Sequence, residues 1–331
     1  MQDLLRQRKY LTHQHATMEC LLALHGRGVL AALPASGEGA APEMLAREHG
    51  CEPRILAALL DYVALTTPFV ERVNDRYRAR PESRGKLLSF MLDMAYAYDP
   101  VFRALPDLLC GAKAYGRDVQ RNGEALGRAS GFATRNTIPV IARRFAERGV
   151  RHVIDLGCGG GEVLAALCND GQRRGTGVDI DAATAESARA NLRAAGLSDR
   201  TEVVVADLAD APTLLTPDIE GPVGICSTGV VHELLRDGDD AFIDVMRRWR
   251  ARFPDATFCI AEFDAVPFDA LAATDSEETL MAASYYQLIH PLSAQGDPQP
   301  VERWRALFAR AGFTVAHEDA VPIRFVVFTL T

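Results

Sequence analysis

Several absences bound the chain before any motif is read. Its 331 residues carry 36 basic and 44 acidic side chains, a formal net charge of −8. That balance gives no electrostatic footprint for nucleic acid or for an anionic membrane surface. Nothing in the sequence approaches the unbroken apolar length of a membrane span. The opening stretch MQDLLRQRKYLTHQHATMECLLALHGRGVL mixes charges throughout, unlike a secretory leader. The seven cysteines, odd in number, show no CxxC pair and no disulfide spacing. Cys158 and Cys168 fall in apolar stretches and read as small buried hydrophobes rather than reactive thiols. Internal repeats and low-complexity tracts are also missing. The expectation is a cytoplasmic protein without membrane or nucleic-acid partners.

What is present is ordinary globular composition, 48% hydrophobic and 24% charged, at a length natural for two domains. Residues 1–130 read as almost entirely helical. Within them APEMLAREHGCEPRILAALLDYVAL has apolar residues at helical spacing, punctuated by Gly50 and Pro53. FVERVNDRYRAR follows as two short alternating runs about Asn74-Asp75, the pattern of a small hairpin. Helix, turn, helix and hairpin make a winged-helix-like pattern, here without a basic recognition surface. From residue 150 the rhythm changes, with the boundary in the helical stretch 131–150 and the second domain taken as 131–331. HVIDLG, GTGVDI, EVVVAD, GICST and TFCIAEF are apolar runs with helical segments between most of them, and AGFTVAHED and IRFVVFTL close the chain. That alternation predicts an α/β fold with a mainly parallel, doubly wound sheet of seven strands.

The first of these strands leads into VIDLGCGGGEVLAAL, a strand, a glycine turn and a helix. Gly157, Gly159 and Gly161 let the backbone turn sharply and let a ligand approach without meeting a Cβ. Dinucleotide sites use a similar turn. Three acidic positions discriminate: Asp155 ends the first strand, Asp179 the second, and Asp207 follows the third, the last having no counterpart in the dinucleotide pattern. The combination resembles the class I S-adenosylmethionine-dependent methyltransferases, from about residue 150 onward. The resemblance implies a Rossmann-like domain that binds S-adenosyl-L-methionine through Asp155, Gly157, Gly159, Gly161, Asp179, Asp207, Leu208 and Ser227. Asp179 would take the ribose hydroxyls and Asp207 the adenine amino group. With a helical, winged-helix-like domain in front, the whole resembles the small-molecule O-methyltransferases, whose first domain dimerises the enzyme and caps the substrate pocket. A homodimer is therefore implied.

Two histidines decide what such an enzyme does. His232 lies in STGVVHELLRDGDDAF after the fourth strand, and His290 in SYYQLIHPLSAQGDPQP, within a long insertion after the fifth. In the O-methyltransferases a histidine at the first position is the general base, which here would be His232 with Glu233 orienting it. That model leaves His290 unused. His232, Glu233 and His290 together also resemble the metal ligands of the α-keto acid C-methyltransferases, which methylate the β-carbon of 2-ketoarginine, arylpyruvates or branched-chain keto acids. That resemblance implies a bound iron or zinc ion that stabilises an enolate, with an α-keto acid as the small-molecule partner. Glutamate at 233 departs from the aspartate of some relatives and would bind directly, through water, or from behind the ligands. The stretch AYDPVFRALPDLLCGAKAYGRDVQRNGEALGRAS shares the look of that group. Of its arginines 117, 121 and 128, Arg121 is the first choice for the substrate carboxylate. Tyr286 or a hydroxide would take the β-proton, and Tyr96, Tyr98 and Tyr285 either line a pocket or simply pack.

Overall fold

The computed structural model describes residues 2–81, 86–215, 219 and 221–331. The chain divides into two compact units, Met1–Asp99 with Glu124–Ala129, and Pro100–Gly123 with Ser130–Thr331. Composition suggested a single cut at 130/131, whereas residues 100–123 belong with the second unit.

The first unit is built on helices α1 (Gln2–Gly26), α2 (Val29–Ala32), α3 (Pro42–His49) and α4 (Pro53–Thr66), the hairpin β1 (Val70–Val73) and β2 (Arg76–Ala79), and part of α5 (Lys86–Arg103). Helices α3 and α4 each start with proline in the first turn, where its missing N–H costs nothing. Asn74 takes the left-handed conformation (φ 55°) that closes the two-residue hairpin. Leu24, Leu45, Leu60, Val63 and Tyr77 fill the core of this unit. The helix–turn–helix–hairpin order expected from the sequence is present.

The second unit opens with α6 (Leu105–Leu109) and holds most of α7 (Gly123–Glu147). Its sheet contains β3 (His152–Leu156), β4 (Arg174–Asp179), β5 (Thr201–Val205), β6 (Val223–Thr228), β7 (Thr257–Phe263), β8 (Val315–Val321) and β9 (Phe325–Leu330). Between strands run α8 (Glu162–Cys168), α9 (Ala182–Ala194), α10 (Ala211–Leu214), α11 (Asp239–Arg252), α12 (Phe268–Ala272), α13 (Glu277–Leu292) and α14 (Val301–Arg310). The strand order is β5-β4-β3-β6-β7-β9-β8, parallel throughout except that β9 runs antiparallel to β7 and β8. This is the seven-stranded, Rossmann-like sheet of the methyltransferase fold.

Alternation along each strand divides the core between the two faces. Ile154, Leu156, Ile225, Phe258 and Ile260 pack with Phe242, Met246, Trp249, Trp304 and Phe308 on one face. Val153, Cys226, Cys259 and Ala261 pack with Ile141, Phe145, Leu164 and Leu167 on the other. Each fully buried large apolar side chain contributes roughly 1.5–3 kcal/mol. The two buried indoles keep their N–H groups bonded, Trp249 to the Leu208 carbonyl at 2.9 Å and Trp304 to that of Phe263 at 3.3 Å. Strand order reverses between β3 and β6. There the carboxyl ends of adjacent parallel strands part, and α/β sheets place their ligand crevices at such a point. The loops after β3, β5 and β6 carry the glycine turn, Asp207 and His232 to that edge, and Asp179 is the last residue of β4.

Candidate active site

The glycine turn begins where β3 stops. Gly157, Gly159 and Gly161 have φ of 68°, 51° and 82°, in the left-handed region open to glycine. At 157 a side chain is excluded twice over, because a Cβ would also lie 2.6 Å from both methyl groups of Val230. At 159 a Cβ would meet nothing within 4 Å, so that face of the turn is open. Asp179 braces the turn: one oxygen accepts the Gly159 N–H at 3.0 Å and the other the Asp181 N–H at 3.0 Å. Burial nonetheless raises its pKa, with the two backbone bonds opposing. A carboxylate oxygen accepts more than one hydrogen bond, so these contacts leave capacity for ribose hydroxyls. Ile180, next to it, is 69% exposed, an apolar face beside the acid that sequence reasoning passed over. Asp207 is exposed and accepts the Ala209 N–H at 2.8 Å.

Beneath the turn, Asp155 and Ser227 are buried on adjacent strands, Asp155 paired in register with Cys226. One Asp155 oxygen meets the Cys226 thiol at 3.7 Å, while the other, like the Ser227 hydroxyl, has no protein partner. Burial pushes the Asp155 carboxyl up to about 8. Unmatched buried polar atoms at the switch point are what a polar ligand, such as the amino-acid end of S-adenosylmethionine, would satisfy. The residues present fit that cofactor.

The two histidines meet. His232 stands on a 3-10 turn, Val231–Asp237, and His290 in the last turn of α13, which Ser276 caps by accepting the Thr279 N–H at 3.2 Å. Both side chains are buried, and their Nε2 atoms lie 3.1 Å apart. The hydrogen-bond partners assign the tautomers. His232 Nδ1–H donates to Glu262 at 2.8 Å, and His290 Nδ1–H donates to the Tyr286 carbonyl at 2.6 Å. Two lone pairs then face each other across 3.1 Å, so an electropositive centre, either a proton or a metal ion, must lie between them. Burial lowers the pKa of His232, but the charge and hydrogen bond of Glu262 outweigh it and the net shift is upward. Burial and the neighbouring His232 push His290 down to about 3. Without a metal the shared proton therefore belongs to His232. Nitrogens bound at about 2.0–2.1 Å to one ion at roughly right angles are also about 3 Å apart. The pair thus fits two adjacent ligand positions.

Glu233 does not complete that set. On a 3-10 turn neighbouring residues point about 120° apart, so His232 faces the interior while the Glu233 side chain stays 40% exposed. Its Oε1 accepts from Gln295 at 2.5 Å and from Arg121 at 3.3 Å. Among the described residues no group of three His, Cys, Asp or Glu side chains is arranged to hold a metal. The three-ligand expectation is corrected accordingly: the two histidines converge, and the carboxylate turns to Arg121. Glu262, which the sequence reading missed, takes the partner role expected of Glu233. It is fully buried, and its second oxygen accepts the His232 backbone N–H at 3.2 Å. The available signal was a lone acid in the apolar strand TFCIAEF.

Arg121 is the arginine that reaches this site. Arg117 is exposed and paired with Asp118, and Arg128 is in the first unit, bonded to Asp93 and Glu124. The ring of Tyr286 lies 4.5 Å from His290 and 4.3 Å from Phe263, centre to centre. Tyr285 stacks on Phe102, Tyr98 is buried in the first unit, and Tyr96 packs against Gly26 there.

Comparison with known proteins agrees with this frame. Residues 153–252 match the family described as Methyltransferase domain. Over 170 residues the chain is 29% identical to the indolepyruvate C-methyltransferase of Streptomyces griseus, a match covering 50% of this chain and 47% of that protein. The chain therefore spans about half the length of this curated relative. The mitomycin 7-O-methyltransferase MmcR superposes with a TM-score of 0.68 at 17% identity, covering 99% of this chain and 97% of that one. The O-methyltransferase NcsB1, solved with S-adenosylmethionine, gives 0.62 at 18% identity, covering 96% of both. At these identities the likeness to the solved structures is one of fold. Of the described helices none is long and apolar enough to cross a membrane.

Proposed function

We propose that this chain, an S-adenosylmethionine-dependent methyltransferase by its domain and fold, transfers a methyl group to the β-carbon of a small α-keto acid. The observation that carries this reading is the convergence of the His232 and His290 Nε2 atoms, 3.1 Å apart, with both Nδ1–H groups already committed. A hydroxyl substrate needs one base, whereas two imidazoles aimed at one point make two ligands. The match to an indolepyruvate C-methyltransferase lies in the same direction.

In the proposed mechanism Arg121, held beside the crevice by Glu233, takes the substrate carboxylate as a charge-assisted pair. His232 and His290 would hold an iron or zinc ion, which would supply a Lewis acid for the keto oxygen. Glu262 and the Tyr286 carbonyl keep both imidazoles in the required tautomer and orientation. Tyr286 in its phenolate form is the proposed acceptor of the β-proton, which leaves it as the neutral phenol. The β-carbon then attacks the sulfonium methyl, the new C–C bond forming as the C–S bond breaks, and S-adenosylhomocysteine leaves. Fixing the two reactants in line accounts for much of the rate. The homodimer implied by the first domain belongs to the same proposal.

The second reading is O-methylation, and the buried His232–Glu262 pair favours it: a histidine with its Nδ1–H on a carboxylate is a general base in the correct tautomer. One experiment separates the two: metal content and deuterium exchange at the β-carbon of an α-keto acid, for wild type, His232→Ala and His290→Ala. Under C-methylation both variants lose metal and exchange together. A chelator-resistant enzyme with full activity in His290→Ala would give the case to O-methylation.

A further inference from the structure

The turn that follows α13 is tied to both histidine-bearing elements. Ser293 Oγ donates to the Ile289 carbonyl at 2.6 Å, and the backbone N–H groups of Ser293 and Gln295 both reach the His290 carbonyl at 3.1 Å. Ala294 adopts a left-handed φ of 50°, unusual for a residue with a Cβ. That turn sends the chain back across the 3-10 turn of His232. Gly296 then lies directly on it: a Cβ there would overlap the His232 carbonyl oxygen and come within 2.7 Å of the Arg236 nitrogen. Between these two anchors projects Gln295, its Oε1 2.8 Å from the buried Ser293 hydroxyl, whose one proton is shared in a three-centre bond with the Ile289 carbonyl. That bond orients the amide so that its Nε2 donates to Glu233 Oε1 at 2.5 Å. Arg121 meets the same oxygen at 3.3 Å, a longer contact.

We propose that Gln295 is a positioning residue: held by Ser293, it fixes the Glu233 carboxylate, and through it the Arg121 guanidinium, for recognition of the substrate carboxylate. The proposal rests on the keto acid reading above. Its physical basis is the geometry of the cluster. Glu233 is on a short turn with its side chain partly in solvent, and its contact with Arg121, at 3.3 Å, is long for a charge-assisted bond. The Gln295 amide supplies the shorter bond, and its own rotamer is set from behind. Since α13 also carries His290, the group that orients the substrate carboxylate and the imidazole that meets His232 belong to one continuous segment.

The test compares phenylpyruvate with its methyl ester, which keeps the ring and keto group but lacks the charge. Calorimetric affinities and the kcat and KM for methylation are measured for wild type, Gln295→Met and Gln295→Glu, with S-adenosylmethionine affinity as the control. Gln295→Met should weaken the acid about tenfold, mostly in KM, and leave the ester and the cofactor nearly unchanged. Gln295→Glu sets a second carboxylate against Glu233 and should cost the acid more than Met does. Equal losses for acid and ester, or no loss for the acid in either folded variant, would overturn the proposal while leaving the keto acid reading intact. Wild type that binds the cofactor but neither binds nor exchanges the β-proton of phenylpyruvate, 2-ketoarginine or a branched-chain keto acid would overturn both, and that outcome is visible without any variant.

Discussion

A buried carboxyl whose second oxygen has no protein partner makes Asp155 a residue with its own pH signature. Its folded pKa, about 8, is above the ordinary carboxylate value near 4, so the folded chain holds a proton that the unfolded chain has lost between those limits. Stability from this group is complete below pH 4 and falls as pH rises toward 8. Asp155→Asn keeps the shape and stays neutral. Denaturant titrations at pH 5 and pH 8.5 should show the variant losing less stability than wild type over that interval, by on the order of a few kcal/mol. Identical slopes would mean that the carboxyl is ionised when folded. Asp179 offers a second test at this scale. Its replacement by Ala removes the acceptor of the Gly159 N–H as well as the expected ribose contacts. S-adenosylmethionine binding should weaken by on the order of 2–4 kcal/mol in calorimetric titration while the protein stays folded. Unchanged affinity would remove Asp179 from the site.

Elements, rather than single residues, determine how the crevice is built. The glycine turn after β3 and the loop after β6 pack so closely at Gly157 and Val230 that no Cβ fits between them. Gly157→Ala would force a Cβ into a left-handed backbone and against Val230, two residues before His232. Thermal or urea unfolding should show a loss of about 1–3 kcal/mol. Ordinary stability in that variant would mean that the β6 loop shifts freely, and the close packing would then have no consequence. Helix α13 makes the complementary contribution. Its long insertion brings His290 back to His232 across 58 residues of chain, and its register is set by the Ser276 cap at one end and the Ser293–Gly296 turn at the other.

For the whole molecule, the net charge of −8 and the winged-helix-like first unit bear on assembly and partners. The expectation is a homodimer formed through the first domain, with no affinity for DNA despite the helix–turn–helix–hairpin order. Light scattering should return twice the chain mass. Binding to random duplex should be absent at sub-micromolar protein, since a surface without basic excess has few counterions to release. A monomer, or salt-sensitive duplex binding, would contradict the respective half of this expectation.

Local chemistry was legible without coordinates. The alternation of apolar runs and helical segments specified the α/β sheet, because side-chain period and strand burial are properties of short stretches. The D-x-G-x-G-x-G turn with Asp179 and Asp207 marked the carboxyl edge of the sheet, because each acid sits at or just past the end of its own strand. His232 and His290 could be paired by resemblance, and their meeting at 3.1 Å agrees with that pairing. Tertiary structure alone decided which carboxylate serves which imidazole. Adjacency in sequence favoured Glu233 as the partner of His232, but a 3-10 turn separates neighbours by a third of a revolution. Glu262, thirty residues away, reaches the imidazole because β7 ends beside the same turn. Arg121 and Gln295 are likewise far from Glu233 in the chain and share its oxygen only because the folded backbone returns there. Side-chain direction on a turn and the closure of long loops depend on packing between distant segments, and no local pattern encodes them.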